Sequence, residues 1–132
     1  MIKAIIFDLD NTLLDFVKMK RFAVRAAVTA MNEAGLGVDE KKAFDDIFDL
    51  YLNKGWEHQQ VFDDYLQQTT GKVSNKVLAA GIVSYRRARE ATLLVYPNVN
   101  KTLIELLKMG IKLAVVSDAP SREAWMRLYY LN

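Results

Sequence analysis

The sequence contains no cysteine, two prolines and one histidine. The missing thiols exclude disulfides and cysteine-ligated metals, and they fit a reducing, cytoplasmic setting. Charge of one sign is hardly in excess: 18 Lys and Arg stand against 16 Asp and Glu, a net +2. That is too little to argue for a nucleic-acid or membrane-surface partner. No apolar run approaches the roughly 18 residues that a membrane span requires. The opening Met1–Phe7 stretch lacks the cleavage site and long apolar region of a signal peptide. Repeats and low-complexity tracts are absent too. What remains is ordinary for a globular domain: 132 residues, 52% hydrophobic and 26% charged, enough to bury a real core.

Two apolar runs stand out. Ile2–Phe7 is apolar apart from Lys3, and Lys112–Val116 reads Lys-Leu-Ala-Val-Val. Such runs suit strands buried on both faces, as in a parallel sheet. Each stops at polar residues, Asp8 in one case and Ser117-Asp118 in the other. In open α/β sheets that carboxyl edge is where ligands bind.

Between the runs lies helical periodicity. A first helix is expected over 16–34, with Phe22, Ala23, Ala26, Ala30 and Ala34 inward and Gly35 or Gly37 at its end. A second starts at an Asp39 cap and carries Phe44, Ile47, Phe48, Tyr51 and Leu52. A third carries Val61, Phe62, Tyr65 and Leu66 and ends at Gly71; a fourth starts at Ser74 and carries Val77, Leu78, Ile82, Tyr85 and Ala88. Four amphipathic helices with short connections make a bundle, inserted between two strands of one α/β core. A fifth helix is expected over 98–109, with Val99, Leu103, Leu106 and Leu107 on one face, a Lys101–Glu105 pair and a Gly110 stop. Pro120 opens a last helix bearing Ala124, Trp125, Leu128 and Tyr129.

The most specific segment is Asp8-Leu9-Asp10-Asn11-Thr12, at the end of the first strand signal. On a continuing strand the two carboxylates would share a face; at a turn they can converge on one point. At ordinary residue usage, a D-x-D-x-T match arises by chance about once in several thousand windows.

Asp8, Asp10 and Thr12, followed by a departure into helices at Asp15-Phe16 and by Val115-Val116-Ser117 at the end of a second strand, resemble the haloacid dehalogenase-like (HAD) hydrolases. The resemblance implies an α/β fold: a partial Rossmann-like core (1–14 and 95–132) and an inserted, C1-type four-helix cap (15–94). It implies Asp8 as nucleophile and Asp10 as general acid, then base. Mg²⁺ is implied as cofactor, held by the Asp8 carboxylate and the Asp10 carbonyl oxygen. Thr12 would fix the turn and, with Ser117 and Asp118, stand on the substrate side. The implied partner is a small phosphorylated metabolite. Asp10 favours phosphate esters over alkyl halides, because a halide leaving group needs no proton; a phosphomutase uses the same pair. Relatives also carry a later lysine and an acidic pair. No lysine follows Lys112, and after Ser117 the acids are Asp118 and Glu123. The chain is therefore expected to be C-terminally truncated or a fragment, and inactive or nearly so by itself. The alternative is a non-catalytic HAD-like module whose bare sheet edge recruits a partner by homo-oligomerisation or strand exchange.

Other charged residues read as solvated. Arg86, Arg87 and Arg89, and Lys18, Lys20, Arg21 and Arg25, suit exposed helix faces. His58 reads as a surface residue with no second ligand nearby. Trp56 suits core packing, Asp118 a local hydrogen bond at the last helix's start, and Asp45-Asp46 and Asp63-Asp64 the helix surface.

Overall fold

A computed structural model describes residues 1–131. The order is β1 (Ala4–Phe7), α1 (Phe16–Glu33), α2 (Glu40–Lys54), α3 (Val61–Thr70), α4 (Asn75–Thr92), α5 (Val99–Lys108), β2 (Lys112–Val115) and α6 (Ser121–Leu131). The chain divides into two compact units, Lys20–Thr92 and Met1–Met19 with the chain from Leu93 onward. The architecture is α/β, as the sequence implied.

In the helical unit, local signals set the helix ends. Asp39 caps α2 by accepting from the Lys42 N–H at 2.9 Å. Gly71 closes α3 at φ 73°, where a side chain would be strained. The four helices bury one continuous cluster. Ala23, Val24, Ala27, Val28 and Met31 come from α1, and Ala43, Ile47, Leu50 and Tyr51 from α2; Val61, Phe62, Tyr65 and Leu66 come from α3, and Val77 and Tyr85 from α4. All four α3 positions expected inside are inside.

On α1 the buried face is turned from the expected one, while on α2 Ile47 and Tyr51 are buried as expected and Phe44 and Phe48 pack against the cluster. Phe22 is exposed, and Val24, Val28 and Met31 do the burying. The pattern 20, 23, 24, 27, 28, 31 follows the same helical period with larger apolar volume than the alanine stripe, and volume decides which face turns inward. Leu52 is likewise exposed while Leu50 is buried. Lys20 is not solvated: it is 5% exposed. Trp56 packs on the cluster, stacked on Tyr51 and edge-on to Phe48.

In the other unit β1 and β2 are parallel neighbours, with Ala4 opposite Lys112 and Phe7 opposite Val115. The expectation of burial on both faces fails among the described residues. Ile6, Val115 and Val116 are exposed, because a two-stranded sheet offers more apolar surface than α5 and α6 cover. Trp125 and Tyr129 on α6 and Leu107 on α5 are exposed for the same reason. On α5, Glu105 pairs with Lys108 at 3.3 Å rather than with Lys101. The helix ends as expected at Gly110. The Ile111 N–H reaches the Leu106 carbonyl and the Gly110 N–H that of Leu107, a Schellman stop. No helix among the described residues is long and apolar enough to cross a membrane.

Candidate active site

The site is built at the carboxyl ends of β1 and β2. The Val116 N–H donates to the Phe7 carbonyl at 2.9 Å, continuing the ladder one step past the paired strands. Asp8 follows Phe7 and Ser117 follows Val116, so both leave adjacent parallel strands at the same edge.

After Asp8 the chain turns sharply. The Leu9 carbonyl accepts from the N–H groups of Leu13 (2.9 Å) and Thr12 (3.3 Å), and the Asn11 N–H donates to the Leu14 carbonyl (2.7 Å). Asn11 sits at φ 59°, a left-handed conformation that asparagine tolerates better than most residues. Its side-chain oxygen accepts from the Val17 N–H at 3.2 Å, and Asp15 accepts from the Lys18 N–H at 3.1 Å. These two polar side chains thus satisfy orphan donors at the start of α1 and lock the loop to the helix. Leu9, Leu13 and Leu14 are buried beneath the loop.

On this frame the Thr12 hydroxyl donates to Asp8 Oδ2 at 3.1 Å, bringing two of the three motif residues together. Asp8 is exposed and Asp10 half-buried. Ser117 Oγ accepts from the Ala119 N–H at 3.1 Å, which tightens the turn after β2. The expected hydrogen bond of Asp118 is not formed among the described residues; Ser117 makes the turn contact instead, and Asp118 is exposed.

One residue was not a sequence candidate. Arg127 on α6 is 6% exposed, and its Nη1 donates to Asp10 Oδ2 at 2.9 Å. Its guanidinium lies over the Phe16 ring, 4.7 Å from the centroid. A signal existed: Ala124, Arg127, Leu128 and Leu131 share the inner face of α6, and a cation on such a stripe wants a buried anion.

His58 also departs from expectation. It is 25% exposed at its side chain, and Nε2 lies 2.7 Å from Asp64 Oδ2, which also accepts from Lys54 Nζ at 2.7 Å. Those hydrogen bonds, Lys54 first and His58 second, hold the Asp64 carboxyl below its ordinary range. Arg86 and Arg87 are exposed as expected, whereas Arg89 is half-buried, 5.9 Å from the Tyr85 ring centroid.

The described residues contain no group of three or more His, Cys, Asp or Glu placed to hold a metal ion. The donor chemistry of the Asp8 carboxylate and the Asp10 backbone carbonyl still suits Mg²⁺. That ion takes hard oxygens and commonly draws only one or two carboxylates from protein, with waters and phosphate completing the shell. Arg127 engages Oδ2 of the Asp10 side chain.

The sequence profile of the haloacid dehalogenase-like hydrolases matches residues 2–132. The chain is 37% identical over its whole length to the glyceraldehyde 3-phosphate phosphatase of Methanocaldococcus jannaschii and covers 58% of that protein. It is 35% identical to the enzyme of the same name from Methanopyrus kandleri, again covering 58% of it. The chain thus spans a little over half the length of these relatives. A HAD family hydrolase from Deinococcus radiodurans R1, solved with bound phosphate and sodium, superposes with a TM-score of 0.57 at 20% identity; 98% of this chain and 52% of that one are covered.

Proposed function

Because the chain belongs to the haloacid dehalogenase-like hydrolase family, we propose that it carries the nucleophilic half of a phosphate-ester hydrolase. The observation that supports this most is the strand register, by which Asp8 and Ser117 follow the ends of two adjacent parallel strands at one sheet edge. There, one side chain can attack phosphorus while the other holds a phosphoryl oxygen.

The Thr12 hydroxyl ties down Oδ2 of Asp8 and leaves Oδ1 to attack. The Asp8–phosphorus bond forms as the ester oxygen leaves, and that oxygen takes a proton from the Asp10 carboxylic acid. Water then attacks phosphorus, its proton passes to the Asp10 carboxylate, and the bond to Asp8 breaks to release phosphate. Arg127, 2.9 Å from Asp10 Oδ2, would favour the ionised form of Asp10, the form that accepts a proton from water. That contact suits the second step, whereas the first step requires the protonated acid. Ser117 and the backbone N–H groups beyond it bind phosphoryl oxygens. Mg²⁺, held by the Asp8 carboxylate and the Asp10 carbonyl, would offset repulsion between two anions.

For the whole protein we propose a small phosphorylated metabolite as substrate. The relatives named as glyceraldehyde 3-phosphate phosphatases make a three-carbon phosphate the first to test. Asp10 argues against a dehalogenase. Within this sequence no lysine follows Lys112 to meet the developing phosphoryl charge. Turnover by the 132-residue chain alone should therefore be feeble. Hydrolysis of p-nitrophenyl phosphate with and without Mg²⁺, compared with Asp8→Asn, tests the proposal. Slow release that requires both Mg²⁺ and Asp8 is expected; release that survives Asp8→Asn would overturn it.

The exposed apolar side chains Ile6, Val116 and Ile104 favour a second reading, in which this sheet works covered by a partner surface. A sedimentation-velocity series would then show mass rising with concentration, and a monomer throughout would remove that reading.

A further inference from the structure

Among the described residues of α6, the buried one is a cation, Arg127. A long charged side chain is seldom kept from water unless its head group is received elsewhere. Here the head group meets a ring and a carboxylate. The guanidinium lies over Phe16, 4.7 Å from the ring centroid, and Nη1 donates to Asp10 Oδ2 at 2.9 Å. Phe16 opens α1 and is 5% exposed, so the ring under the guanidinium is itself held by packing. A planar guanidinium laid on a ring keeps the direction of its N–H bonds, which an ammonium on a flexible stem does not. The direction kept here is toward Asp10.

The turn that carries Asp10 is held at its flanks by near neighbours. The Thr12 hydroxyl donates to Asp8, and Asn11 accepts from the Val17 N–H. Neither of these bonds orients the Asp10 carboxyl. Arg127 reaches that carboxyl from 117 residues away. Its helix begins just after the Ser117 turn, where Ser117 Oγ accepts from the Ala119 N–H and the Ala124 N–H donates to the Pro120 carbonyl. One helix thus joins the turn after β2 to the acid on the turn after β1.

We propose that Arg127 is a positioning residue: from α6, braced on Phe16, it sets where the Asp10 carboxyl stands for its work on phosphorylated Asp8. The catalytic consequence rests on the phosphatase reading, and the placement rests on the contacts alone. In the step concerned, water attacks phosphorus, its proton passes to Asp10, and the bond between phosphorus and Asp8 breaks to release phosphate. A base displaced from its proper place serves that step poorly. Forming the intermediate from acetyl phosphate makes no such demand, because acetate leaves without a proton. Arg127 therefore governs breakdown of the intermediate more than its formation.

The test uses the full chain with Arg127→Gln, which removes the charge, and Arg127→Lys, which keeps charge and stem, protects the fold and loses the planar fork. The Asn11, Leu13 and Leu14 N–H groups all donate within the turn. Their hydrogen exchange should quicken by at least about tenfold in both variants, with the α2 amides unchanged. With acetyl phosphate and Mg²⁺, phosphate release should slow by about tenfold while the fraction of Asp8 trapped by borohydride as homoserine rises. A merely structural loss would lower both together. Unchanged exchange in the turn, a parallel fall in trapped intermediate and phosphate release, or full restoration of both readouts in Arg127→Lys would overturn the proposal. A chain that traps no homoserine before any substitution fails the phosphatase reading instead, and the exchange comparison still decides for or against Arg127.

Discussion

The Arg127–Asp10 pair allows the most direct energetic test of the core unit. Arg127→Met keeps the length of the stem and removes the charge. The Arg127 side chain is 8% exposed and that of Asp10 23%. Removing one partner of a fully buried pair costs about 3–5 kcal/mol, because the other charge is left desolvated. Asp10 keeps some water contact, which places the loss near the lower end, about 3 kcal/mol. The guanidinium over Phe16 adds about 0.5–1 kcal/mol. The expected destabilisation is therefore about 3–4 kcal/mol. Urea unfolding should be followed through Trp125, on the same helix, in a Trp56→Phe background that silences the other tryptophan. Asp10→Asn placed on Arg127→Met should recover part of the loss, because it removes the charge that Arg127 had balanced. A coupling of about 2 kcal/mol is expected from the double-mutant cycle. A loss under about 1 kcal/mol, or strictly additive variants, would show that the pair behaves like an exposed one and refute the reasoning.

Gly81 lies in α4 where an added Cβ would come within 2.9 Å of Met31 Cγ and Sδ. Gly81→Ala should gain about 1 kcal/mol of helix propensity and lose about 1–3 kcal/mol to overpacking, a net change between neutral and about 2 kcal/mol destabilising, read as a shift in urea midpoint. The depressed Asp64 carboxyl gives a pH signature. Its stabilising contribution is present above the unfolded carboxylate value, near pH 4, and is lost as pH falls through the lower folded value. Asp64→Asn should therefore lower stability at pH 7 and flatten its decline in acid, as measured by melting temperature against pH.

What could be read from the sequence follows the range of the interaction. Asp39, Gly71 and Gly110 act on backbone groups a few residues away, so their types announce the helix ends they make. The D-x-D-x-T turn is legible for the same reason: Thr12 reaches Asp8 across four residues. Parallel strands could be inferred from two apolar runs separated by helices. Their exposure could not, since burial depends on what lies against a strand and not on the strand itself. Lys20 and Arg127 escaped because their partners lie 65 and 117 residues away, Tyr85 in one case and Asp10 in the other. Each looks like a surface cation until the fold closes around it. On α1, alanine spacing suggested one face, but Val24, Val28 and Met31 carry more apolar volume and turned the helix slightly.

In the proposed reaction Asp8 becomes covalently phosphorylated. Incubating the chain with acetyl phosphate and Mg²⁺, reducing with borohydride and sequencing the amino-terminal peptide by mass spectrometry tests it most directly. An aspartyl-phosphate reduces to homoserine, whereas a free carboxylate does not. Homoserine at position 8, with Asp10 unchanged and no conversion in Asp8→Asn, is the predicted result. Conversion at another residue, or phosphate release from acetyl phosphate that depends on Asp8 without homoserine at that position, would contradict it.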